Sequence, residues 1–236
     1  MNIIIKRMRS QIDPRNNRLV QKLIDDGVIK SSQVTETMRS IDRGLFIKKA
    51  DESIYFDSPH SIGYCATISA PHMHAYALEW LKDYLTPYSH VLDIGSGSGY
   101  LTLCMSAMMG FTGKVIGVDH IDKIVEDSIQ NIRRSHSEVL SSGAIEMYTA
   151  DGRNGYPLYA PYKAIHVGAA SDGIPQALLD QLDVDGRMVI PVGLPGSTQQ
   201  INIIDKEKNG KVRIRQALAV SYIPLCEREK QWPRSM

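Results

Sequence analysis

The chain has 236 residues, 43% of them hydrophobic, enough to bury the core of one substantial domain. Its 27 Lys plus Arg against 26 Asp plus Glu leave a formal charge of +1, so no overall field draws it to nucleic acid or to an anionic membrane. No apolar run approaches the roughly 20 residues that span a bilayer, and Ile3 to Ile5 fall far short of a secretory apolar region of about 7 to 15 residues.

From Asn17 to Ile29, Leu19, Val20, Leu23 and Ile24 recur at helical spacing, and Gly27 closes the run. A second short helix is predicted over Gln33 to Ile41, then a loop over Asp51 to Ala66 punctuated by Pro59 and Gly63. Ser69, followed by Ala70 and Pro71, predicts a capped start for a helix running through Trp80 and Leu81, because serine caps well and proline is tolerated in a first turn. Beyond Pro87, apolar runs of strand length alternate with helical segments, as in a parallel sheet covered on both faces. The predicted strands are His90 to Ile94, Lys114 to Val118, Ile145 to Thr149, Ala164 to Gly168 and Arg187 to Pro191. Helices are predicted over Leu101 to Met109, Lys123 to Arg134 and Pro175 to Leu182. Gln200 to Asp205 and Val212 to Ala219 bracket Asn209-Gly210, a strong hairpin signal.

These elements predict an α/β, Rossmann-like fold: a mostly parallel, doubly wound sheet with a C-terminal hairpin and an N-terminal helical cap. Residues 1–236 are expected to form one domain, with 1–58 as helical extension and cap and 59–236 as the catalytic, cofactor-binding core. Cys65, Cys104 and Cys226 lie far apart with no Cys-x-x-Cys pair, so a reducing, cytoplasmic location is expected. His72 and His74, two apart on a helix, face different directions and have no obvious third ligand, so no metal site is expected. The basic stretches Lys6 to Arg9, Arg133 to Arg134 and Lys206 to Arg215 read as solvated surface, and neither a nucleic-acid nor a membrane partner is expected.

The most informative segment is Val91-Leu92-Asp93-Ile94-Gly95-Ser96-Gly97-Ser98-Gly99-Tyr100, an apolar strand ending in a glycine-rich turn. Glycine allows positive φ and close approach of a ligand to the backbone. The spacing is Gly-x-Gly-x-Gly rather than that of dinucleotide sites, and Asp93 would set a negative charge beside a diphosphate. S-adenosylmethionine, which has no phosphate but carries an ammonium and a sulfonium, suits Asp93, Gly95, Ser96 and Gly97 better. Asp119 lies about 20 residues after the turn, the spacing of a carboxylate that accepts both ribose hydroxyls. Asp151-Gly152, at a third strand end, predicts an acceptor for the adenine amino group beside a glycine that admits the flat base.

At Asp57-Ser58-Pro59 through Glu79, and above all in Ala66-Thr67-Ile68-Ser69-Ala70-Pro71-His72-Met73-His74-Ala75, the sequence resembles the protein-L-isoaspartate O-methyltransferase family. The match continues through Asp93 to Gly99, Thr112 to His120, Leu140 to Gly143, Asp151 to Arg153, Ala164 to Ala170, Pro175 to Leu182, Pro191-Val192-Gly193 and Lys230-Gln231-Trp232. The resemblance implies an S-adenosylmethionine-dependent enzyme that yields S-adenosylhomocysteine. It would methylate the free alpha-carboxylate of L-isoaspartyl residues, and the side-chain carboxylate of D-aspartyl residues, in damaged proteins and peptides, starting repair through a succinimide. It also implies Ser69 as the active-site residue, with cofactor contacts at Ile62, Gly63, Tyr64, Cys65, His74, Ser98, Asp119, His120, Asp151, Gly152, Cys226 and Gln231. A monomer is expected.

Two positions depart from the family pattern: animal members usually carry glutamine in the place of Cys65 and threonine in that of Cys226. Both replacements are cysteines at positions assigned to one site, which raises a redox-sensitive thiol pair as the alternative to the simpler reading, two independent small-residue replacements. No Ser, His and Asp nucleophilic set is legible, in keeping with a carboxylate substrate that is already ionised at neutral pH and needs no base. The rival readings are a methyltransferase acting on a small molecule or RNA, and an adaptor that binds damaged proteins without methylating them.

Overall fold

The computed structural model describes residues 13–48 and 52–233. The basic stretch Lys6 to Arg9, the rest of the predicted extension before residue 13, the first loop residue Asp51 and the terminal Arg234 to Met236 lie outside the described residues. Helix α1 covers Pro14–Asp25, one turn earlier than its periodicity predicts. Asp13 caps it, accepting from the Arg15 backbone N–H at 2.8 Å, and Pro14 occupies the first turn, where a missing N–H costs nothing. Helix α2, Ser32–Ser40, is capped by Ser31 and buries Val34 and Met38 in the same apolar cluster as Leu19, Val20 and Leu23 of α1.

The stretch predicted as a loop contains a hairpin. Strand β1, His60–Gly63, pairs antiparallel with β2, Ala66–Ile68. Its two-residue turn holds Tyr64 and Cys65 at φ of 54° and 55°. Asn-Gly ordinarily fills that geometry, so the sequence carries no recognisable turn signal there.

Helix α3, Pro71–Leu81, corrects the predicted cap. The residue at its N-cap is Ala70, without a side-chain bond, so Ser69 stands one residue too early to serve. Asp57 supplies the acceptor instead, its Oδ1 taking the His72 backbone N–H at 2.9 Å and facing His72 Nδ1 at 2.9 Å. Replacing Asp57 by Ala should lower stability by about 0.5–2 kcal/mol, the usual worth of a cap, seen as a lower urea midpoint at unchanged slope. An unmoved midpoint would remove the capping role.

Among the described residues the main sheet has seven strands, β3 (His90–Ile94), β4 (Lys114–Asp119), β5 (Ile145–Thr149), β6 (Tyr162–Val167), β7 (Leu182–Val192), β8 (Gln199–Lys206) and β9 (Val212–Val220). Their order across the sheet is β5-β4-β3-β6-β7-β8-β9. The first five in that order are parallel, and β8 and β9 close the edge as the antiparallel hairpin that Asn209-Gly210 predicts. Strand β7 begins five residues earlier than predicted. Alternation decides which face each residue covers. Val91, Val115, Ala164, Val189 and Ile203 turn toward α1, α2, α3, α4 (Tyr100–Met108) and α5 (Asp122–Ser141). Leu92, Ile116, Ile165, Ile190 and Ile204 turn the other way, toward α6 (Gln176–Gln181) and Tyr156 and Tyr159. Helix α5 runs past its predicted end at Arg134, with a kink at His136. The chain winds outward through β4 and β5 on one side of β3 and resumes with β6 on the other, which leaves a crevice above β3. Among the described residues no helix is long and apolar enough to cross a membrane.

Candidate active site

The glycine-rich turn binds the ends of three strands together. Gly95 N–H and Ser96 N–H donate to Val118 O at 2.8 and 3.1 Å, and Gly168 N–H donates to Ile94 O at 2.7 Å. Gly99, at φ 83°, forms the N-cap of α4, a left-handed position that suits glycine. Gly168 answers a different need: a Cβ there would stand 2.9 Å from Gly95 O, so only glycine lets the two strand ends approach. Above them lies a narrow cavity walled by Thr67, Gly95, Gly97, Asp119, His120, Gly152 and Gly168. Gly152 leaves room for Ile94, whose Cγ2 lies 2.4 Å from where a Cβ would sit.

The roof comes from the chain's return after β9. Ala170 N–H donates to Ile223 O at 2.8 Å and Leu225 N–H to Ala170 O at 2.7 Å, laying Ile223, Pro224 and Leu225 across the cavity. The Gln199 side chain clamps the approach, accepting from Tyr222 N–H at 2.6 Å and donating to Tyr222 O at 3.3 Å. Helix α7, Arg228–Gln231, then brings Gln231 into the wall. Gln231 Nε2 donates to Tyr64 O at 3.2 Å, and its Oε1 lies 3.0 Å from His120 Nε2. His120 Nδ1 in turn meets Cys226 O at 3.0 Å, and the Tyr64 and Trp232 rings pack edge to face at 5.4 Å. Hairpin tip and roof are therefore stitched together over the opening.

Each acidic strand end has a different environment. Asp119, almost buried, accepts backbone N–H groups, from Ile121 at 3.1 Å and Gly97 at 3.3 Å with His120 adding to them, and takes no side-chain donor among the described residues. It forms no ion pair among the described residues, and burial raises its pKa above the usual carboxylate value. A carboxylate has about four acceptor positions, so Asp119 retains capacity for the two adjacent hydroxyls of a ribose. Asp151 is engaged differently: Arg153 Nε and Nη2 reach its oxygens at 3.0 and 2.6 Å, and hydrogen bonding to Arg153 lowers its pKa. Its expected role toward an adenine amino group must therefore share acceptors with a guanidinium.

Asp93 lies beneath the turn, 1% exposed and outside the cavity wall. Thr102 Oγ1 donates to one oxygen at 2.5 Å and His166 Nδ1 lies 2.8 Å from the other, pinning β3 to α4 and β6. Ser96 is also buried, with a hydroxyl that has no hydrogen-bond partner among the described residues. His74 sits under the same floor. Its Nδ1 is 3.4 Å from Arg43 Nη1, and since arginine only donates, Nδ1 accepts and the ring proton is on Nε2. Burial, then the Arg43 charge, holds its pKa well below the usual histidine value.

Ser69 is half-buried beside Tyr222, two residues after Thr67 of the wall. Burial pushes the Tyr222 phenol up to about 12, while its hydrogen bond with Ser69 pulls the other way. Of the expected contacts, Gly95, Gly97, Asp119, His120, Gly152, Cys226 and Gln231 share the cavity. Ile62, Gly63, Tyr64 and Ser98 line a neighbouring cleft that touches it at Gly97, and Cys65 faces an outer groove. Sequence reasoning missed Gly168, Arg153, Tyr222 and the Ile223 to Leu225 roof. The Ala164 to Ala170 match contains Gly168, but only the strand order sets it against Gly95.

Comparison with known proteins agrees with this geometry. The family model described as protein-L-isoaspartate(D-aspartate) O-methyltransferase matches residues 14–230. The chain is 49% identical to a wheat (Triticum aestivum) protein-L-isoaspartate O-methyltransferase over 218 residues, 92% of this chain and 94% of that protein. It is 47% identical to the Caenorhabditis elegans protein of the same name over 220 residues, 93% and 96% of the two chains. A Plasmodium falciparum crystal structure assigned to the same activity, in complex with S-adenosyl-L-homocysteine, superposes with a TM-score of 0.83 at 33% identity, covering 91% of this chain and all of the other.

Proposed function

The chain belongs to the protein-L-isoaspartate(D-aspartate) O-methyltransferase family, and we propose that it methylates the free alpha-carboxylate of isoaspartyl residues in damaged proteins and peptides, using S-adenosylmethionine. D-aspartyl side chains are the second substrate, and the ester starts repair through a succinimide. The observation that carries this reading is the roofed cavity at the β3 switch point, where Asp119 keeps acceptor capacity that no side chain among the described residues uses. S-adenosylmethionine, when bound, supplies a methyl group on a sulfonium.

Asp119 holds the ribose hydroxyls, and the open backbone at Gly95 and Gly97 admits the amino-acid end of the cofactor. Gly152, Leu225 and Ile94 offer a flat apolar slot for the base, and His120 and Gln231 close it. The roof excludes water, so an incoming carboxylate exchanges hydration for a few fixed hydrogen bonds and becomes a better nucleophile. Ser69, steadied by Tyr222, donates one of those bonds and aligns the carboxylate. No protein group has to remove a proton, because the substrate acid is ionised at neutral pH.

The reading extends to a single cytoplasmic unit that works as a monomer, with no nucleic-acid or membrane partner. The near-zero net charge supports the lack of a nucleic-acid or anionic-membrane partner, and the shared apolar cluster of the helical cap and the catalytic core supports a single unit. The test is methyl transfer to an isoaspartyl peptide and to its normal aspartyl twin; activity on both, or on neither, rejects the reading. Ser69→Ala should lower kcat about 10- to 100-fold, the worth of one aligning hydrogen bond, with little change in cofactor affinity. Unchanged turnover would take Ser69 out of the mechanism.

A further inference from the structure

Cys65 and Cys226 are free thiols that face one outer groove, and Cys226 also stands in the wall of the inner cavity. Cys65 is exposed at the hairpin tip, and Cys226 is half-buried in the roof. The two elements form opposite lips of the same opening and are already linked. The peptide carbonyl leading into Cys65, that of Tyr64, accepts from Gln231 at 3.2 Å; Gln231 lies 3.0 Å from His120, and His120 lies 3.0 Å from Cys226 O. The turn itself is strained: two successive non-glycine residues, Tyr64 and Cys65, sit at positive φ, a conformation that persists only where surrounding contacts enforce it. Arg153 and Lys230 line the groove as well, cations that favour a thiolate against the burial that raises the Cys226 thiol.

We propose that Cys65 and Cys226 form a redox modification site, which a peroxide converts to a disulfide that locks the lips and blocks exchange at the cofactor cavity. The Cys65 thiolate attacks peroxide oxygen: an S–O bond forms, the O–O bond breaks, and the departing hydroxide takes a proton to leave as water. The Cys226 sulfur then attacks the Cys65 sulfenic acid, forming S–S, breaking S–O and releasing a second water. Two thiols lose two electrons and the peroxide gains them. Cys104, fully buried on α4 with its pKa raised by burial, is the spectator. The gating half of the proposal rests on the cofactor occupying the cavity; the bridge does not.

The experiment treats the reduced full chain with hydrogen peroxide. Intact mass and non-reducing peptide maps should show loss of two hydrogens and a Cys65–Cys226 linked peptide, which requires alpha carbons within about 7 Å. Methyl transfer to the isoaspartyl peptide and S-adenosylhomocysteine dissociation should both slow by about tenfold or more, as expected of a locked lid, and recover with dithiothreitol. Cys65→Ser and Cys226→Ser, whatever their own starting rates, should each keep those rates through the same treatment. Separate sulfenic or sulfinic acids with no linked peptide would overturn the site, and a linked protein with unchanged rates would overturn the gate. A reduced chain that methylates neither peptide of the twin pair rejects the proposed function instead, and the linked peptide still decides the site.

Discussion

Asp119→Ala is expected to weaken S-adenosylhomocysteine binding by about 100-fold, since two hydrogen bonds to a charged acceptor are worth about 1.5–3 kcal/mol each before desolvation is subtracted. Stability should hardly fall, because burial already makes the ionised carboxylate unfavourable. The sign of the pH dependence follows. A carboxylate whose pKa is raised in the folded protein contributes its full stability below the ordinary value of 3.8 and loses it as pH climbs through the raised one. Hydroxyl donors favour the charged form, so cofactor binding displaces a proton, and affinity is complete above the raised pKa and declines as pH falls through it. Calorimetry across acid to neutral pH measures both effects. Wild-type affinity in the alanine variant, or a profile with no acid decline, would refute the ribose role.

Asp93→Leu should be the most damaging single change to the floor of the site. It strands the Thr102 hydroxyl and His166 Nδ1 without their acceptor in a nearly dry environment. At about 1–3 kcal/mol for each unsatisfied group, the loss is roughly 2–6 kcal/mol, a large part of the 5–15 kcal/mol typical of a folded domain. Urea unfolding measures it, and a double-mutant cycle with Thr102→Val should show coupling, because removing the second partner relieves part of the penalty. A loss below about 1 kcal/mol would mean the network is not what holds β3, β6 and α4 in place.

Seen this way, Asp93 illustrates how a site residue is legible while its role is not. Its position before the glycine turn predicts a charge beside the cofactor. In the fold it turns to the same face as Val91, toward α4, and meets Thr102 and His166 instead. Ser69 illustrates the same limit locally. Serine two residues before proline predicts a cap, yet the capping carboxylate arrives from Asp57, fifteen residues before the His72 N–H that it accepts, and frees Ser69 to meet Tyr222. Asp119 is the opposite case, since spacing alone anticipates a strand-end carboxylate and the structure engages it with backbone N–H groups only, leaving it acceptor capacity.

Periodicity, glycine spacing and the Asn-Gly turn by themselves determined the α/β class, the parallel strands, the C-terminal hairpin and the wall residues on consecutive strand ends. Those features depend on interactions over a few residues or on a repeating register, which a linear string records directly. Tertiary structure alone decided the β1–β2 hairpin, the roof from Ile223 to Leu225 and the Gln231 bridge between His120 and Tyr64. Each of these joins segments brought together by the strand order or by the returning chain, and their side chains acquire meaning only from the neighbours that folding supplies.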